Sequence, residues 1–180
     1  MPERYVEVPP QNVRIAWNEV TRQTVENRLA RGSIQGIKVG EADKPLSGAV
    51  FGLFAEGTTE FTKENALSTA VPDASGAFDF ADVVFGNYLL RELEAPAGYV
   101  LSDEIYEVQI TENGSVIELE NLKNKPMTGE LELTKLDIST GKPLPNAGFR
   151  IRDTEDNTVV EGYTDEHGIA RFMLGYGEYT

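Results

Sequence analysis

Hydrophobic and polar residues alternate along much of this chain with the two-residue period of a half-buried strand. From Glu130 to Lys135, Leu131, Leu133 and Lys135 share one face while Glu130, Glu132 and Thr134 share the other. The same register sets Ile34, Gly36 and Lys38 inward, with the glycine leaving room beside its neighbours. In the run from Tyr88, Tyr88, Leu90 and Glu92 form one face and Leu89, Arg91 and Leu93 the other. Each of these rows ends on an ionisable side chain where an apolar one is expected. A buried charge without a partner is costly, so an inward lysine and an inward glutamate imply either each other or a reaction that uses them.

Read this way throughout, the pattern predicts strands over 33–39, 48–55, 66–71, 77–81, 87–94, 105–111 and 115–124. The turn sequences Asp73-Ala-Ser-Gly76, Phe85-Gly86-Asn87, Pro96-Ala-Gly98 and Glu112-Asn113-Gly114 separate them. Asn113-Gly114 predicts a hairpin joining the last two strands, and Thr62 to Ala66 reads as a short helix. The row Val13, Ile15, Trp17 predicts a tryptophan in a core. Seven short strands at this spacing indicate an all-β, antiparallel Greek-key sandwich of the immunoglobulin-like or prealbumin-like kind.

The unit is repeated. Gly32 to Lys38 aligns with Gly129 to Lys135, and Lys44-Pro45-Leu46 through Phe51 with Lys142-Pro143-Leu144 through Phe149. Gly76 to Phe80 aligns with Gly168 to Phe172, and Gly86-Asn87-Tyr88 with Gly177-Glu178-Tyr179. The second copy stops at Thr180, ahead of any counterpart of Glu92. Upstream, Asn27 stands five residues before Gly32 as Asn124 stands five before Gly129. The expected organisation is therefore 1–31 as the last strand or strands of a preceding repeat, 32–128 as one complete domain, and 129–180 as the first half of another. Lys135 is then an inward lysine whose partners are missing from the chain.

Composition narrows the function. A formal net charge of −14 and a pI near 4.5 argue against nucleic acid and against anionic membranes, both of which select basic patches. The chain has no cysteine, so disulfides and thiolate metal sites are excluded. His167 lies in the turn Asp165-Glu-His-Gly168, and Asp153, Asp156 and Asn157 match a hairpin turn better than a calcium loop. Neither points to a metal or a cofactor, and none is expected. No apolar run is long enough to span a bilayer, so membrane insertion is not expected either, and the N-terminal residues lack the pattern of a signal peptide.

An inward Lys38 from the first strand, Glu92 from the fifth and an asparagine at the end of the last strand have a chemistry in common. A lysine amine attacks a carboxamide only when neutral, and burial favours that form. A buried glutamic acid can donate a proton as the amide reacts and shuttle another to the departing ammonia. Strict alternation from Ile117 and Leu119 turns Asn121 inward, whereas the repeat spacing favours Asn124; Asn121 stands as the alternative.

The run Tyr88-x-Leu90-x-Glu92-x-x-Ala95-Pro96-x-Gly98-Tyr99, with Lys38, the segment Pro45-Leu46-x-Gly48-Ala49-x-Phe51 and Asn124, resembles a CnaB-type domain, the SpaA-like prealbumin repeat of Gram-positive pilins and adhesins. The resemblance covers 32–128 and the start of a second copy. Where this family carries aspartate two residues after the lysine, as at Asp137, Gly40 follows Lys38. The resemblance implies a self-formed bond between Lys38 and Asn124 assisted by Glu92, a single event and not an enzyme's turnover. It implies a structural spacer in an extracellular, cell-wall-anchored surface protein whose signal peptide and anchor lie outside this chain, with neighbouring repeats of the same polypeptide as partners. The competing expectation is an adhesin domain that binds a host extracellular protein or glycan.

Overall fold

The computed structural model describes residues 4–180. Two compact units emerge, one holding the chain up to Pro96 together with Leu101–Asn124, the other Ala97–Val100 with Lys125–Thr180. The first contains β1 (Arg31–Val39), β2 (Val50–Ala55), β3 (Ser68–Ala70), β4 (Ala77–Val84), β5 (Gly86–Glu94), β6 (Ile105–Ile110), β7 (Val116–Glu118) and β8 (Leu122–Lys123). The second contains β9 (Thr128–Thr134), β10 (Gly148–Arg152), β11 (Thr158–Tyr163) and β12 (Ile169–Gly175).

In the first unit one sheet runs β4-β1-β7, with β8 also on β1, and the other β3-β2-β5-β6. Their inner faces meet in one core that includes Ile34, Phe78, Phe80 and Leu122 from the first sheet and Phe51, Leu53, Leu90, Val108 and Ile110 from the second. Phe51 and Phe78 stack with ring centroids 4.3 Å apart. Gly36 makes that stack possible, because a Cβ there would come within 2.6 Å of the Phe78 ring.

Several features depart from the sequence expectation. The 115–124 stretch forms two short strands, and both lie parallel to β1, pairing Ser33 with Val116 and Lys38 with Leu122. The Asn113-Gly114 turn forms, with Gly114 at φ +81°, yet it does not return the chain to β6. Gly114 N donates to Arg31 O, Arg31 N to Asn113 Oδ1 and Ser33 N to Ser115 O. The backbone of β1 captures the turn and draws the chain across to the other sheet. Thr62 to Ala66 is one turn and not a helix: Asn65 N and Ala66 N both donate to Thr62 O, and Leu67 N already bonds Leu53 O on β2.

Residues 4–30 form a two-legged arm. Val6 N donates to Arg28 O, Ala30 N to Arg4 O, and Gln23 reaches Gln11. The arm turns at Asn18, whose φ is +59°. Trp17 is 94% exposed, which overturns its assignment to a core: alternation supplies an apolar face, but among the described residues no layer covers it.

In the second unit β9 pairs antiparallel with β12, from Thr128–Gly175 to Thr134–Ile169, and β10 pairs with β11. Ile151, Ala170, Phe172 and Leu174 are buried, with Leu131, Leu133, Phe149, Val160 and Tyr179 against them. The β10–β11 hairpin is closed by Asp153, whose Oδ1 accepts from the backbone N–H of Glu155 and Asn157. Lys135 is exposed, against the inward reading of its strand. Among the described residues β9 pairs with β12 alone.

Candidate functional site

The alternation of β1 places Lys38 at the end of an inward row, and its side chain is only 1% exposed. Opposite it, the β2–β5 register pairs Phe51 with Glu92, so the ring and the carboxyl project side by side from one face of that sheet. Lys38 Nζ lies 5.6 Å from the centroid of the Phe51 ring and 3.2 Å from Glu92 Oε1. β8 lies along the far edge of β1, and just beyond it Asn124 N donates to Val39 O. That bond turns the Asn124 side chain inward, where Nδ2 donates to Glu92 Oε2 at 2.8 Å.

Glu92 is thus the centre of the cluster, with one oxygen toward the lysine and the other toward the asparagine. A third group reaches it: Ser102 N donates to Oε2 at 2.9 Å. Ser102 Oγ in turn accepts from Glu104 N at 3.3 Å, and Tyr106 OH donates to the Glu104 carboxylate. Lys38, Glu92 and Asn124 are all buried.

Burial pushes the Lys38 amine below the ordinary lysine value, because desolvation penalises the ammonium. The carboxylates of Glu92 and Glu104 pull the other way without overcoming it. Tyr106 is pushed up, first by burial and then by its bond to Glu104.

The structure brings Lys38, Glu92 and Asn124 into one contact cluster and leaves Asn121, in the break between β7 and β8, at the surface. Asn27 and Lys135 are likewise exposed. Ser102 and the Glu104–Tyr106 pair escaped the sequence reading. Tyr106 had a signal, as it heads the inward row Tyr106, Val108, Ile110. Ser102 contributes a backbone N–H, which any residue but proline would supply. Among the described residues no group of His, Cys, Asp and Glu is placed to hold a metal ion, and no helix is long and apolar enough to cross a membrane.

The fold is that of a two-sheet sandwich in which β8 lies beside β1, followed by a second unit of related sequence. The SpaA prealbumin-like fold domain matches residues 32–125 and again 129–180, and the chain belongs to that family. No curated protein matches it. Among solved structures it is similar to the Bacillus anthracis TIE protein, at 35% identity and a TM-score of 0.75 over 86% of this chain and 28% of that one. The chain therefore spans little more than a quarter of that relative. A streptococcal ancillary pilin aligns at 20% identity over 93% of this chain and 58% of that one, with a TM-score of 0.47. The Bacillus cereus major pilin BcpA aligns at 17% over 83% and 86%, with a TM-score of 0.45.

Proposed function

We propose that this chain is a spacer segment of a Gram-positive surface adhesin or pilin, and that its complete domain is locked by an amide bond between Lys38 and Asn124. The observation that carries the reading is the buried contact of a lysine, a glutamate and an asparagine from three separate strand ends. In the reaction, the neutral Lys38 amine attacks Asn124 Cγ, forming the Nζ–Cγ bond. Glu92 gives its proton to Nδ2, takes one back from Nζ, and the Cγ–Nδ2 bond breaks to release ammonia. Glu92 ends as it began, so the event needs no co-reactant.

The bond would join the first strand to the last and enclose nearly the whole domain in a covalent ring. By analogy with disulfide closure of a loop of this length, it stabilises the fold by roughly 4 to 5 kcal/mol. Extracellular placement in a repetitive stalk, where tension and proteases act without repair, fits a domain that dispenses with cysteine. The host-ligand reading has no comparable observation behind it.

Intact-mass measurement tests the proposal. The purified chain is expected to weigh one ammonia less than its sequence, and digestion to yield a branched peptide holding Lys38 and Asn124. An unshifted mass removes the covalent mechanism, and a branch at Asn121 moves the acceptor.

A further inference from the structure

The Glu92 carboxyl is asymmetrically held. Oε1 faces Lys38 Nζ at 3.2 Å, while Oε2 receives Asn124 Nδ2 at 2.8 Å and the backbone N–H of Ser102 at 2.9 Å. A carboxyl that could rotate about its last torsion would interchange these oxygens, because that torsion is broad and nearly two-fold. Ser102 lies in the segment between β5 and β6, ten residues from Glu92, and its side chain points away to cap Glu104 N. Its N–H therefore serves the carboxyl alone.

We propose that the Ser102 backbone N–H is a positioning group that fixes the Glu92 carboxyl so that each oxygen has one task in bond formation. Oε2, its in-plane lone pairs taken by the N–H groups of Ser102 and Asn124, holds the amide against the carboxyl and carries no proton. Oε1, which faces Nζ, carries the proton of the acid, gives it to the departing nitrogen and takes the one that Lys38 Nζ sheds on forming the Nζ–Cγ bond. Protons are conserved: Glu92 gives one from Oε1 and regains one there, and ammonia departs with the one delivered. The N–H also bonds more strongly to the carboxylate than to the acid, because a hydrogen bond to a charged acceptor is the stronger kind. It thus stabilises Glu92 at the moment it is ionised.

This inference rests on the proposed Lys38–Asn124 bond, and its test separates the two. An ester in place of the Leu101–Ser102 amide exchanges only the N–H for an oxygen, whereas Ser102→Ala keeps the N–H and removes the hydroxyl. The rate of ammonia loss after folding is followed by intact mass in both chains and in the parent, in light and heavy water. The ester is expected to slow the loss by about ten- to a hundredfold, the worth of one hydrogen bond to a charged group. It is also expected to enlarge the solvent deuterium isotope effect, as proton transfer becomes limiting; Ser102→Ala should match the parent in both. An ester chain that matches the parent, or an alanine variant slowed as much as the ester, overturns the positioning role. A parent chain that loses no ammonia overturns the bond itself and the positioning role with it. Should the ester chain fail to fold, Ser102→Pro, which lacks the same N–H, takes its place under the same criteria.

Discussion

Lys38 and Lys135 occupy the same place in two copies of one unit, and their backbones are held alike. Lys38 N donates to Gly76 O at 2.7 Å and Lys135 N to Gly168 O at 2.8 Å. Their carbonyls accept from Leu46 and Leu144, at 3.0 and 2.9 Å. The two glycines sit at φ +77° and +72°, each so close to the lysine carbonyl that a Cβ would collide with it. Even the turns agree: Asp73 and Asp165 each accept from two backbone N–H groups of the hairpin, and both carboxyls are held below the usual range, Asp73 first by the Ser75 hydroxyl and then by the Ser75 N–H, Asp165 first by the Ile169 N–H. Yet one lysine is buried against a glutamate and the other is exposed. Local sequence sets the backbone and the direction of a side chain, but burial comes from strands contributed far along the chain. β1 has β4 on one edge and β7 and β8 on the other, and it faces β5; among the described residues β9 pairs with β12 alone.

The sharpest way to break the comparison is to remove what the first lysine has and the second lacks. Glu92→Ala should fold but retain its full sequence mass, losing roughly the 4 to 5 kcal/mol of ring closure and appearing in calorimetry as a large drop in Tm. A Glu92→Ala chain that still sheds ammonia would show that the carboxyl is dispensable.

Next in size is an exchange between copies. Leu133 stands in the second copy where Gly36 stands in the first, so Gly36→Leu imports the other copy's residue. With Phe78 already 2.6 Å from a Cβ at that position, the stack on Phe51 must shift. A destabilisation of about 1 to 3 kcal/mol, typical of overpacking, is expected in denaturant unfolding of the first unit. No measurable change would mean that the core there is looser than its geometry.

The third outcome concerns pH. In Asn124→Ala, where no bond can form, the native state holds Lys38 deprotonated at a pH where the unfolded chain still binds its proton. Stability should therefore rise with pH from the lowered value toward the unfolded lysine value, by at most about 1.4 kcal/mol per pH unit. The groups facing the amine are Glu92 and Glu104, whose negative charges shrink the slope without reversing it. Comparison with Asn124→Ala/Lys38→Met isolates the effect below pH 10, and parallel curves would contradict the burial argument. Smallest of all, Lys135→Ala should change stability by no more than about 0.5 kcal/mol, as for other surface positions. A larger loss would reveal a partner for this amine.

The sequence made the sandwich legible where strands alternate cleanly. β1, β2, β4, β5 and β6 lie within a few residues of their expected bounds, and Lys38 and Glu92 face inward as their rows require. Pairing direction was less visible, because alternation tells which face a residue occupies and nothing about which strand lies beside it. For that reason the last strand's parallel course along β1 came only from the structure, whereas the repeat spacing already favoured Asn124 over Asn121. Trp17 failed for a related cause: a period-two row predicts a face, and a face becomes a core only when something is laid over it. Ser102 was invisible because its part is played by the peptide group.

The parallel neighbourhood of β1 and β8 sets how far the domain could lengthen if pulled. With Lys38 joined to Asn124, a load entering at Arg31 travels along β1 to Lys38, crosses to Asn124 and leaves, so residues 39–123 hang beside the path as a closed loop. Unlinked, that loop would add about 300 Å of slack per domain at ~3.5 Å per residue. Linked, it adds none. If the proposed bond forms, a stalk of units so linked would hold its length under load, its reach set by the number of copies and not by the force on them.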